Sequence, residues 1–164
     1  MIWFVSESKI RTFLRCFLII LIIATLSFTF FQSSKNKEDS NETSENFGEI
    51  IEPIIPSDTP VGDYVHSNIR KIAHFIEFLA LGTEIALYIV VFHAKLKIAA
   101  FSLLAAPVLA LIDETIQIFS DRGPSIADVW LDVSGYFAGA LLTYAVGFLI
   151  LKFCRANSSA DSIT

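Results

Sequence analysis

Four apolar runs, roughly Phe13–Phe31, Ile72–Phe92, Ile98–Phe119 and Ile126–Leu151, approach or exceed the ~20 residues that carry a helix across a bilayer. In or beside the last three sit residues that hydrocarbon rejects: Arg70, Lys71, His74, Glu77, Asp113, Glu114, Gln117, Arg122, Ser125, Asp128 and Asp132, with Tyr136 just below. At a rise of ~1.5 Å per residue, Glu77 lies about 9 Å inside from Lys71, Asp113 about 9 Å inside from Phe119, and Asp132 about 10 Å inside from Ser125. Three helices therefore carry polar side chains to one depth from one face. Ionisable groups so placed are functional candidates.

The chain is 54% hydrophobic, and it needs no soluble core, because each helix satisfies its own backbone in lipid. The expected fold is an all-α membrane protein: four transmembrane helices in a small bundle, with a long, partly disordered extracytoplasmic loop after the first. Residues 1–31 form the N-terminus and an anchor helix, 32–67 an acidic loop, 68–153 a three-helix core and 154–164 a tail. The net charge of −5 hides an uneven distribution, since Asp39, Glu42, Glu45, Glu49, Glu52, Asp58 and Asp63 all fall in that loop. Lys9, Arg11 and Arg15, then Lys95 and Lys97, then Lys152 and Arg155 fall on one side after even crossings. The positive-inside rule makes that side the cytoplasm, against a weaker opposing count from Arg70, Lys71 and Arg122. Both termini are then cytoplasmic and the polar layer extracytoplasmic.

The first run ends Phe28-Thr29-Phe30-Phe31-Gln32 without a small-residue cleavage pattern, so it reads as a retained anchor. Cys16 and Cys154, both near the cytoplasmic face, read as reduced thiols. Residues 33–44 are polar with nothing to bury and are expected to be disordered. Residues 45–55 carry Phe47, Ile50, Ile51, Ile54 and Ile55, but the nearby prolines favour a spacer over an interfacial segment. No metal-ligand spacing, nucleotide loop or nucleic-acid footprint appears, so no metal, cofactor or nucleic-acid partner is expected.

His74, Glu77, Leu81 and Glu84 follow the spacing that lines one helix face, and a His74–Glu77 contact would tune a proton donor or acceptor. Asp113 and Glu114 are adjacent carboxylates that need cations or protons nearby, and Arg122, Arg70 and Lys71 are the cations available. A purely structural ion-pair network would account for the same charges. Ser125-Ile-Ala-Asp128 is a capping box that starts the fourth span after the Gly123-Pro124 turn. Asp132 has no such role and lies one turn below Asp128, while Gly135 and Gly139 form a GxxxG surface for close packing.

The blocks Arg70-Lys71-x-x-His74-x-x-Glu77-Phe78 and Asp113-Glu114-x-x-Gln117-x-Phe119-x-x-Arg122-Gly123-x-Ser125-x-x-Asp128, continued by Asp132-Val-Ser-Gly135, resemble the VanZ-like family of small bacterial membrane proteins. The resemblance covers about Asn68–Leu151. Its namesake is associated with low-level resistance to teicoplanin, so the resemblance implies a cell-envelope setting without assigning a reaction. Two functions follow. A binding protein would grip an anionic lipid head, such as a polyprenyl phosphate or wall precursor, through Arg70, Lys71 and Arg122, with Glu114, Gln117, Asp128 and Asp132 completing the site. An enzyme acting on a phospho- or glycolipid would use His74 as acid or base with Glu77 or Asp113 orienting it. Transport is weaker, since four spans suit a carrier only in an oligomer, although Glu84 lies deeper on the same stripe.

Overall fold

The computed structural model describes residues 9–92, 95–123 and 125–160. Pro124 and the side chains of Cys154 and Arg155 fall outside them. Among the described residues every regular element is helical: α1 (Lys9–Ser33), α2 (Lys37–Ile51), α3 (Pro60–Ser67), α4 (Ile69–Phe92), α5 (Leu96–Ser102), α6 (Ala105–Phe119) and α7 (Ile126–Ala160). Among the described residues four helical stretches are long and apolar enough to cross a membrane: Lys9–Ser33, Ile69–Phe92, Leu96–Phe119 and Ile126–Phe153.

The bundle is organised around α4 and α7, which share the largest contact, with α1 against α4 and α6 and with α6 against α7. Glycine sets the α4–α7 approach. A Cβ on Gly139 would stand 2.1 Å from the Leu79 carbonyl oxygen, one on Gly135 2.5 Å from that of Phe75, and one on Gly82 2.2 Å from that of Tyr136. Backbone packs directly on backbone, as the GxxxG spacing predicts. Around this seam Phe78, Leu81, Tyr136 and Ala140 are buried. On α1, by contrast, Phe13, Phe17, Ile20 and Phe28 are exposed, leaving an apolar surface suited to lipid.

The third span is not the unbroken helix the sequence suggests. Pro107 has no N–H to give the Leu103 carbonyl and its ring crowds that carbonyl, so the chain turns at 103–104 between α5 and α6. The Ala106 amide donates to the Leu103 carbonyl at 3.2 Å instead of reaching the Ser102 carbonyl. The freed Ser102 carbonyl accepts the Tyr136 hydroxyl at 3.1 Å, and the Ser102 hydroxyl meets that of Tyr144 at 2.6 Å. Tyr136 therefore repairs a helix break deep in the bundle and does not belong to the polar layer above it.

The segment expected to be disordered is also helical. Asn36 caps α2 by accepting the Asp39 amide at 2.8 Å, and Glu38 and Asp39 complement the positive end of the helix dipole. One face of α2 carries Ser40, Thr43, Ser44, Phe47 and Ile51, and this face has a cavity to cover, which disorder would leave open. Beyond α2 the proline-bearing turn is closed by Glu52, which accepts the Ser57 amide at 3.1 Å and approaches His66 Nε2 at 3.2 Å. The Ser57 hydrogen bonds, backbone first, hold the Glu52 carboxyl below its ordinary pKa of 4.5.

Candidate functional site

Local turn chemistry fixes the position of Arg122. After α6 ends at Phe119, Asp121 adopts φ 55, and the Arg122 amide donates back to the Gln117 carbonyl at 3.2 Å. This is a Schellman turn with an aspartate in the left-handed position that glycine usually takes. It directs the Arg122 side chain back into the bundle, where Nη1 stands 3.4 Å from the Gln32 carbonyl oxygen and 3.5 Å from that of Ser33. These carbonyls lie in the last turn of α1, where a cation is favoured. Among the described residues, Nε and Nη2 of Arg122 are buried with no hydrogen-bond partner. Burial, ahead of the neighbouring Arg70 charge, holds the guanidinium below its usual pKa, and an arginine still stays protonated at neutral pH.

Three helices supply the acids beneath it. Asp113 of α6 is fully buried and accepts the Ser33 hydroxyl at 2.6 Å and the Gln117 amide nitrogen at 2.7 Å. His74 Nδ1 lies 3.8 Å from Asp113 Oδ2, beyond hydrogen-bond range. One donor atom each from His74, Asp113 and Asp132 all fall within 4.8 Å of one another, a spacing that would accommodate one metal ion. Glu114 turns elsewhere and accepts the Ser125 amide at the start of α7. Ser125 in turn accepts the Asp128 amide at 3.3 Å, so the predicted capping box works in one direction, with Glu114 taking the return bond expected of Asp128.

Beside this cluster lies a cavity of about 330 Å³ between α1, α2 and α4. Arg70, Arg122, His74 and Lys35 contribute basic groups to its lining, and Phe28, Phe47, Ile72 and Ile76 contribute apolar wall. Lys35 also donates to Thr43 Oγ1 of α2 at 3.1 Å, tying the covering helix down.

A family profile described as VanZ/LLP1 matches residues 17–151. The chain belongs to the VanZ/LLP1 family. No match was found among curated proteins or solved structures. The VanZ/LLP1 match begins inside α1, so the family region is wider than the blocks from residue 68 onward and takes in both the first span and the α2 cover.

In this VanZ/LLP1 chain His74, Asp113, Glu114, Gln117, Arg122 and Asp132 are all buried at one end of the bundle. Glu77 is half-buried beside them and lines the cavity with Arg70. Lys71 departs from expectation: it is exposed and does not line this cavity, being turned about 100° around the helix from Arg70. Asp128 is half-buried at the start of α7. Among the described residues no hydrogen bond or ion pair joins His74 to Glu77, and His74 Nδ1 faces Asp113 on another helix. Among the described residues no arginine–carboxylate ion pair is made, and the ion pair in this layer is His74 with Asp113 at 3.8 Å.

Sequence reasoning passed over α1. Thr25, Thr29 and Ser33 recur every four residues on one face, and Thr25 Oγ1 donates to Glu84 Oε1 at 2.8 Å as Ser33 does to Asp113. Hydroxyls at that interval in an apolar run were the available signal. The first helix contributes to the site, and Thr25 holds Glu84 through Oε1 while Oε2 is buried with no partner among the described residues.

Proposed function

We propose that this VanZ/LLP1 protein binds the anionic head of a membrane lipid, such as a polyprenyl phosphate or lipid-linked wall precursor, at the outer face of a bacterial plasma membrane. The observation that carries the reading is the free edge of Arg122. Nε and Nη2 lie along one side of the guanidinium as a two-donor fork, and both are buried without a partner. An unmade hydrogen bond to a buried charged group costs about 1–3 kcal/mol or more, which a phosphate oxygen pair at this edge would recover. Arg70 and Lys35 bring further positive charge to the cavity, while its apolar wall suits the first carbons of a lipid and not a free ion. A wall-precursor ligand would connect the protein to envelope or glycopeptide-antibiotic responses. For catalysis by His74 the orienting carboxylate would be Asp113, 3.8 Å away, and no observation favours this reading over binding.

Two experiments test this reading. Protein purified in mild detergent should carry an anionic lipid, found by mass spectrometry and missing from a mock purification; identical lipid profiles would count against binding. For orientation, cysteines at exposed Asn41 and Lys95 in a background without Cys16 and Cys154 give opposite expectations. An impermeant maleimide should label Asn41→Cys in whole cells and spare Lys95→Cys, and the reverse pattern would put the cavity inside.

A further inference from the structure

We propose that His74, Asp113 and Asp132 bind a divalent transition cation of the Zn²⁺ or Mn²⁺ class inside the polar layer. The three residues come from α4, α6 and α7 and are all buried, with Asp132 at 1% exposure and Asp113 at 0%. One donor atom from each lies within 4.8 Å of the others. Two of these side chains have atoms that the protein leaves unused, since His74 Nδ1 and Asp132 Oδ1 are buried and have no hydrogen-bond partner among the described residues. Leaving such atoms unpaired is costly, and one ion would satisfy both.

The distances fit an ion better than a hydrogen bond. His74 Nδ1 and Asp113 Oδ2 are 3.8 Å apart, too far for a proton to bridge well. Ligands about 2.0–2.2 Å from a tetrahedral centre stand roughly 3.4 Å from each other. The His74–Asp113 separation of 3.8 Å is close to that spacing, and the set as a whole, within 4.8 Å, closes on an ion by side-chain movement of about an ångström. The outer support is already present, because Ser33 and Gln117 hydrogen-bond the two oxygens of Asp113 and fix its plane. One imidazole and two carboxylates suit Zn²⁺ or Mn²⁺, whereas Mg²⁺ prefers to keep its waters. Three protein donors leave at least one coordination position for water or for a group in the adjoining cavity, which His74 also lines. The cation site stands independently of the lipid reading, since its test uses metal alone.

The experiment is equilibrium dialysis of the purified full-length protein against Zn²⁺ in excess Mg²⁺, read by elemental analysis, with X-ray absorption at the zinc edge. One Zn²⁺ per chain is expected, with a first shell of nitrogen and oxygen and no sulfur. Asp132→Asn and His74→Gln should each weaken Zn²⁺ binding at least tenfold, and metal-free Asp132→Asn should melt no lower than the parent because an unpaired buried carboxylate has gone. No Zn²⁺ bound by the parent, a sulfur ligand such as exposed Cys16, or parental affinity in both variants would overturn the assignment. If either variant fails to fold, the stoichiometry and absorption spectrum of the parent decide it alone.

Discussion

Gly139→Leu is expected to remove nearly all folded protein from the membrane. The first added carbon alone would meet the Leu79 carbonyl at 2.1 Å and Thr83 Oγ1 at 2.6 Å, so α4 and α7 must separate along the seam that organises the bundle. Overpacking a tight site costs about 1–3 kcal/mol and more where backbone cannot yield, and here the obstacle is a helix carbonyl. Separation would also pull Asp132 of α7 from His74 of α4, so the loss should extend to the polar layer. Gly123→Ala is the control, because nothing lies within 4 Å of a Cβ there, and surface changes of that kind usually stay within about 0.5 kcal/mol. Thermal unfolding in detergent and membrane abundance should both separate the two variants; equal stability would mean the close α4–α7 approach is wrong.

The polar layer was legible because a charged residue in an apolar run has few structural reasons to be there. Counting helical rise from each span end put Glu77, Asp113 and Asp132 at one depth, and His74, Asp113 and Asp132 do converge. Which atoms meet was not legible, because the His74–Asp113–Asp132 cluster spans three helices and depends on their rotation and tilt. A search for metal-ligand spacing along the chain has no access to such a cluster. Two other misreadings concern signals that were present. Pro107 stood in the third run, where hydropathy outweighed its missing amide proton, and Asn36 followed by Asp39 was a helix start whose polar composition resembled disorder. Beyond its cap, α2 places Phe47 and Ile51 along the cavity against α4, a tertiary contact that polarity alone does not reveal.

Exchanging Arg122 for lysine should abolish most of the preference for an anionic head while leaving the fold intact. Lysine keeps the charge and replaces a planar fork by a point donor, so the two parallel bonds available from Nε and Nη2 are lost. A loss of about 1–3 kcal/mol is expected, roughly 5- to 150-fold in affinity. Lys71→Arg, at an exposed position outside the cavity, should change little. If Arg122 served only to close the end of α1 through Nη1, its exchange would leave lipid selectivity alone whatever it did to melting.

The most direct measurement is a competition in nanodiscs between a polyprenyl phosphate and the matching neutral polyprenol, made on the parent and on Arg122→Lys with melting followed in parallel. The parent is expected to prefer the phosphate, and Arg122→Lys to lose most of that preference while melting shows it still folded. Equal affinity of the parent for the two lipids would contradict the anion grip.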